Sequence, residues 1–220
     1  MKQAIALFRK DLSSEIRTRY AINSLLMFII VTISVILYAI GQEKISDYLT
    51  GGLLWVIVFF TSMSGLSRTF VSEEERGTVM ALQLSATPET VLSGKFLFNL
   101  VLMFSMNVII LVLYSLLFEA FVLKNLNLFL AAYLLGNIGI ASASTVIAAI
   151  ISKAGSKGTL YPVLAFPILL PLMLTLIETT KMSMDGTPFD ESLVELAVLG
   201  SYNVVMIAAS YLLFDIIWKD

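Results

Sequence analysis

Six long apolar runs constrain this chain more than any other feature of its sequence. They cover residues 20–40, 51–69, 96–118, 126–151, 160–177 and 193–217, and Arg68, one residue before the end of the second run, is the only Lys or Arg in them. Each is close to the roughly 20 residues that an α-helix needs to cross the hydrocarbon core of a bilayer. Because backbone groups in lipid must find their hydrogen bonds within the protein, we expect each run to be a helix. The sequence therefore predicts an all-α integral membrane protein with six transmembrane helices.

The basic residues indicate how these spans are oriented. If the N-terminus is cytoplasmic, eleven of the fourteen Lys and Arg residues fall in cytoplasmic segments, and the outer loops keep one each, Lys44, Lys124 and Lys181. An excess of Lys and Arg marks the cytoplasmic side of a membrane protein. We therefore predict a multi-pass protein with both termini in the cytoplasm.

Residues 1–19 carry an amphipathic pattern ahead of the first span. Ile5, Phe8, Leu12 and Ile16 recur at helical spacing, while charged residues occupy the other faces. This pattern favours a helix that lies in the membrane interface. The alternative is a plain basic flank that only orients the first span.

Composition excludes several chemistries. The chain is 58% hydrophobic and 14% charged, and it contains no Cys and no His. Disulfides, thiolate nucleophiles, imidazole bases and the usual zinc and haem ligands are therefore absent, and we expect no catalytic residue and no metal site. A net charge of −2 offers no basic surface to nucleic acid.

No energy source for transport is visible in the chain itself. Gly94-Lys95 and residues 157–159 lack the glycine spacing of a phosphate-binding loop, so the protein is not its own ATPase. No carboxylate lies at the centre of a span, where a proton-coupled transporter would usually carry one. Energy for any transport should come from a partner.

The polar segment 70–95 reads as a small cytoplasmic element between the second and third spans. Ser72 can cap a helix whose first turn is acidic, Val79, Leu82 and Leu84 offer apolar contacts, and Pro88 ends the element. A short capped helix of this kind can dock into another protein. We interpret the segment as a docking element.

The later spans carry packing signals. Pro162, Pro167 and Pro171 predict that the fifth span is kinked or broken, as a moving gate or as a static packing feature. Small residues in the fourth span predict close packing on several neighbours.

The four asparagines within spans are expected to hydrogen-bond between helices; they are Asn99, Asn107, Asn137 and Asn203. Residues 178–192 read as a solvated outer loop with a turn at 185–188 rather than as a calcium loop.

Several strings resemble a known family. Residues 70–78 and 82–85, with Pro88 and Gly94-Lys95, resemble the coupling segment of ABC exporter permeases with six spans. Residues 158–164 and 166–171 are similar to the proline-rich stretch of the CcmB family, also called haem exporter protein B, which acts in cytochrome c maturation. Residues 8–12 and 15–17 are similar to that family's N-terminal helix. The resemblance covers essentially the whole chain.

The resemblance implies a set of roles and partners. It implies an exporter-type ABC permease in the bacterial inner membrane, a homodimer working with a CcmA-like ATPase, CcmC-like and CcmD-like membrane subunits and a CcmE-like haem chaperone. This chain would bind no cofactor directly, since ATP would bind to the ATPase and haem would be handled by partner subunits. The implied ATPase-coupling residues are Glu73, Glu74, Glu75, Arg76, Gly77, Thr78, Leu84, Ser85 and Pro88; the implied kink or gate residues are Pro162, Pro167 and Pro171.

Two other functions remain open from the residues alone. A permease for drugs, lipids or polysaccharide would share the same coupling segment. A membrane scaffold without transport would need the three prolines only for packing. In each of the three readings the chain is not itself an enzyme.

Overall fold

A computed structural model describes residues 2–41, 43, 45–67, 69–70, 73, 77–153 and 160–219. It is 88% helical, with no strand in these ranges. The helices are α1 (Lys2–Thr18), α2 (Tyr20–Ile40), α3 (Asp47–Leu66), α4 (Val79–Ser85), α5 (Pro88–Leu117), α6 (Leu126–Lys153), α7 (Tyr161–Asp185) and α8 (Leu193–Lys219), with a 3-10 turn over Phe189–Ser192. Six of them, α2, α3 and α5 to α8, are long and apolar enough to cross a membrane. The predicted fold class is confirmed.

Helix α6 forms the centre of the bundle, as its small residues predict. It packs against α3, α5, α7 and α8, and 78% of its most apolar stretch is buried. A Cβ at Gly136 would lie 2.9 Å from both Leu176 and Trp55, and one at Gly139 would lie 2.8 Å from Leu172. These glycines therefore allow neighbouring side chains to pack directly on the α6 backbone.

The intramembrane asparagines join helices, as predicted. Asn107 on α5 donates to Asn137 on α6 at 2.7 Å, and Asn99 donates to Thr145 at 2.8 Å. Asn203 on α8 donates to the Leu135 carbonyl at 3.0 Å. Each of the four amides thus has a hydrogen-bond partner on a neighbouring helix, although the Oδ1 atoms of Asn107 and Asn203 are buried without one.

The outer end of α7 corrects the prediction of a solvated loop over residues 178–192. The helix continues to Asp185, and Gly186, with φ of +84°, ends it. The helix extends this far because Ser183 is buried against the chain that precedes α6. The Ser183 carbonyl accepts hydrogen bonds from the backbone N–H groups of Lys124 and Asn125 at 3.1 and 3.0 Å. The predicted turn follows directly after Asp185.

The prolines do not break α7. Pro162 lies in its first turn, where no helical hydrogen bond is lost, and the helix runs unbroken through Pro167 and Pro171. All three are exposed on the surface of the chain. Tyr202 of α8 donates to the Ile168 carbonyl at 3.0 Å, which ties this part of α7 to the bundle.

A sharp turn joins α1 to α2. Arg19 adopts a left-handed φ of +53°, so the two helices are separate elements. The Glu15 carboxylate accepts from the backbone N–H groups of Ala21 and Ile22 at 2.8 and 3.1 Å and thereby caps α2. Helix α1 then lies across the start of α5.

Candidate functional site

The segment between α3 and α5 holds most of the predicted coupling residues. Glu74, Glu75 and Arg76 lie outside the described residues. The predicted single helix between Ser72 and Pro88 is wrong, because Gly77 has a φ of +66° and Thr78 is not helical. The described helix of this segment is α4, and it begins at Val79.

Helix α4 has one buried face and one exposed face. Leu82 is buried, whereas Met80 and Leu84 are 72% and 86% exposed. Residues four apart lie on the same side of a helix. Met80 and Leu84 thus form an apolar pair on the outward side, called here the Met80–Leu84 ridge. Sequence reasoning found Leu84 and missed Met80, although the four-residue spacing was the available signal.

Helix α4 is hydrogen-bonded to the end of α8, where Phe214 and Trp218 form an aromatic cluster with Phe70. Phe70 lies 5.5 Å from Phe214 and 6.3 Å from Trp218, and Phe214 and Trp218 stack at 5.3 Å between ring centroids. Gln83 donates to the Trp218 carbonyl at 2.9 Å. Helix α4 is therefore fixed to the end of a membrane-spanning helix.

The end of α4 follows from Pro88. Ser85 is the last helical residue, and Ala86 and Thr87 are extended, with ψ of 149° and 152°. A residue before proline is pushed out of the helical region. Pro88 is then in the first turn of α5, so only two residues separate α4 from a long spanning helix.

Glu73 points into the protein rather than toward a partner. It is 5% exposed, and one carboxylate oxygen, Oε1, lies 2.8 Å from both the Lys10 and the Lys95 ammonium nitrogens. Asp11 pairs with Lys95 at 2.9 Å. These four residues, Lys10, Asp11, Glu73 and Lys95, are called here the Glu73 ion cluster. Thr78 donates to the other Glu73 oxygen, Oε2.

The lysines determine the charge state of Glu73. Burial alone would raise its pKa, but the charge of Lys95 and hydrogen bonds from Lys10, Lys95 and Thr78 lower the pKa from 4.5 to about 2. Glu73 is therefore ionised at every physiological pH. The carboxylate acts as a fixed charge and not as a proton carrier.

Gly94 allows α1 to reach this cluster. A Cβ at Gly94 would lie 2.8 Å from the Leu7 Cβ and 3.1 Å from the Ala4 carbonyl oxygen, so α1 crosses α5 at its backbone. The crossing brings Lys10 and Asp11 to Lys95, the residue after Gly94. Sequence reasoning did not place these residues in contact with one another. A lysine in the first turns of an otherwise apolar helix was the signal that it needed a partner.

A cavity of about 650 Å³ lies beside the cluster. Its walls come from α1, α2, α3 and α5, and Asp11, Glu73 and Lys95 line it together with Ser64 and Leu25. The ion cluster thus lies between packed helices on one side and open space on the other. The three α7 prolines do not line this cavity.

Six helices long and apolar enough to cross a membrane pack around a small-residue core, and a short helix lies between two of them, which is the architecture of a multi-pass membrane protein. The chain belongs to the CcmB family, because the family described as CcmB protein matches residues 2–214. No curated protein matches it. It is therefore a multi-pass membrane protein and a haem-exporter-type ABC permease subunit in cytochrome c maturation, and not itself an enzyme. The family implies a complex with an ATPase partner.

Proposed function

We propose that this permease couples ATP hydrolysis by a CcmA-like ATPase to haem delivery, or to release of a haem-loaded chaperone, through α4. The Met80–Leu84 ridge carries the proposal. Two large apolar side chains at 72% and 86% exposure on a seven-residue helix are poorly suited to water. A hydrophobic groove on the ATPase would bury them, with the helix lying in it. Besides docking, the segment would transmit movement of the ATPase to the membrane spans.

Movement of α4 would reach the spans by two short links. Ala86 and Thr87 join α4 to α5, and Gln83 with the aromatic cluster joins it to α8. When nucleotide closes two ATPases, the two α4 helices of a permease dimer would move with them. We propose that α3 and α7 then shift and change contacts with partners on the outer side, with the α7 prolines as the kink or gate.

The partners proposed are CcmC-like and CcmD-like membrane subunits and a CcmE-like haem chaperone, in the bacterial inner membrane with both termini in the cytoplasm. The absence of His and Cys from the sequence supports haem handling by the partners rather than by this chain. Glu74, Glu75 and Arg76 are proposed as further ATPase-coupling residues.

The proposal is tested by docking of the ATPase. The tagged permease is co-expressed with its ATPase and purified in mild detergent. Met80→Asp with Leu84→Asp should abolish co-purification, because the ridge would carry charge into an apolar groove. Leu160→Asp is the matched control. Leu160 is also an exposed leucine, at 43%, but it lies directly before α7 and outside the Met80–Leu84 ridge. Retention of the ATPase by the double variant would overturn the proposal.

The maturation role is tested by the composition of the complex. Purification from native membranes, with an absorbance scan for haem, should recover the ATPase with CcmC-like and CcmE-like chains, and haem only when these are present. Recovery of an ATPase alone would favour the general exporter. Recovery of no ATPase would favour the scaffold and contradict both transport functions.

A further inference from the structure

The Glu73 ion cluster connects three elements that are distant in sequence. Lys10 belongs to α1, Lys95 to α5, and Glu73 to the segment that leads into α4. The Lys10 and Lys95 contacts span 63 and 22 residues of chain. Within the described residues between α3 and α5, Glu73 forms an ion pair with α1 through Lys10.

The same carboxylate is joined to the start of α4. Thr78, the residue before α4, donates its hydroxyl to Glu73 Oε2 and its backbone N–H to the Glu73 carbonyl at 3.0 Å. Oε1 receives the two lysines. One carboxylate oxygen, Oε2, therefore binds the residue before α4, and the other, Oε1, binds α1 and α5.

The strength of the two lysine contacts differs. Lys95 is 3% exposed and also pairs with Asp11, whereas the Lys10 side chain is 48% exposed. Buried pairs resist separation much more than exposed pairs. Glu73, Lys95 and Asp11 thus form the buried part of the cluster, and the Lys10 contact is the one that separates most easily.

The cavity gives α1 room to move. Its walls include Asp11, Ser14 and Thr18 along α1, opposite Ser64 and Gly65 of α3. Close packing anchors the other end of α1 at Gly94, where Ala4 and Leu7 contact the α5 backbone. We infer that Glu73 is a positioning residue that carries movement of α4 to α1, which pivots on Gly94 into this cavity. The inference rests on the proposed function of α4.

The absence of cysteine permits a direct test in the complex. Spin labels at Ser13→Cys on α1 and Lys153→Cys at the end of α6 report the distance between these helices; both positions are exposed. Labelled chain is diluted with unlabelled chain and assembled with the ATPase. Trapping with ATP and vanadate should change the distance distribution in wild type and in the control Glu89→Gln, an exposed glutamate on α5. The change should be lost in Glu73→Gln.

A second variant separates transmission from folding. Thr78→Val leaves the lysine contacts of Glu73 in place and removes the hydroxyl that binds its carboxylate. It should keep the resting distance of wild type and lose the change on trapping. An unaltered change in both Thr78→Val and Glu73→Gln, or no change in wild type, would overturn the inference.

The failure of this inference is distinguishable from failure of the proposed function. ATPase binding should survive Glu73→Gln, because the Met80–Leu84 ridge is intact. If no ATPase binds the wild type, the proposed function fails, and the connection of α4 to α1 through Glu73 is tested on the permease alone. In the permease alone, Glu73→Gln should broaden the distribution of resting distances between the labels at positions 13 and 153 relative to Glu89→Gln. Equal widths would overturn the inference.

Discussion

Lys95 and Lys10 bind the same Glu73 oxygen from different environments. Lys95 is buried, and its removal would leave the carboxylates of Glu73 and Asp11 without their shared partner. Breaking a buried ion pair in this way costs about 3–5 kcal/mol, whereas an exposed pair contributes about 0–1 kcal/mol.

We therefore expect Lys95→Met to lower thermal stability in detergent strongly and Lys10→Met to lower it little. Both substitutions remove one charge and keep side-chain length, so each serves as the control of the other. Melting curves followed by scattering or fluorescence measure the difference. Equal losses would contradict the buried, shared role of Lys95.

The acid response of Glu73 follows from its lowered pKa. Its folded-state pKa of about 2 lies below the ordinary 4.5, so its stabilising effect is complete above pH 4.5 and is lost as the pH falls toward 2. The melting temperature of wild type should exceed that of Glu73→Gln by a constant amount from pH 8 to about 5, and the gap should close below pH 4.5. A gap that closes between pH 8 and 6 would mean that another group titrates.

The sequence could not distinguish Glu73 from Glu74 and Glu75. Three consecutive glutamates look alike in composition, and the partners of the first lie 63 and 22 residues away. The direction of one carboxylate depends on how α1 crosses α5, which is a tertiary property. Val79, Leu82 and Leu84 of α4 were visible in the sequence because their spacing is local, although Met80 was missed.

At the level of elements, the crossing of α1 over α5 depends on Gly94. A Cβ there would meet the Ala4 carbonyl oxygen at 3.1 Å and the Leu7 Cβ at 2.8 Å, and neither atom is the flexible end of a side chain. Gly200 on α8 has nothing within 4 Å of the same position.

Gly94→Ala should therefore destabilise the protein by about 1–3 kcal/mol through displacement of α1. Gly200→Ala is the matched control and should leave stability equal or raised by up to about 1 kcal/mol, because alanine favours helix. Melting temperatures in one detergent test the pair. Equal behaviour of the two variants would show that α1 does not pack at Gly94.

Helix positions could be predicted from the sequence more accurately than helix ends. The first apolar run and α2 share the bounds 20–40. By contrast α5 begins at Pro88 and α7 continues to Asp185, well beyond the predicted runs. Apolar length reports the part of a helix in lipid, whereas polar turns such as that around Lys95 become helical through tertiary contacts.

For the whole molecule, the distribution of Lys and Arg predicts which end of the bundle faces the cytoplasm. The cysteine-free chain allows single-cysteine labelling without background. A membrane-impermeant maleimide should label Asp190→Cys in intact cells, and Ser13→Cys and Ser85→Cys only after permeabilisation; all three positions are exposed. Labelling of Ser85→Cys in intact cells would place α4 on the wrong side for an ATPase.

The packing order of the bundle was partly visible in the sequence. Gly136 and Gly139 identified α6 as the helix with many neighbours, and the asparagines identified buried contacts. Which helices meet was not predictable, because an apolar face packs equally well against lipid and protein. The outward position of the α7 prolines is a result of that arrangement, so their role as a gate stays a prediction.

Docking of α4 in a groove of the ATPase is tested most directly by site-specific photo-crosslinking in native membranes. Benzoylphenylalanine at Leu84 should give an adduct that contains the ATPase, and the same group at Val112, 51% exposed near the C-terminal end of α5, should not. Adducts from Leu84 without the ATPase, or equal ATPase adducts from both positions, would contradict the account.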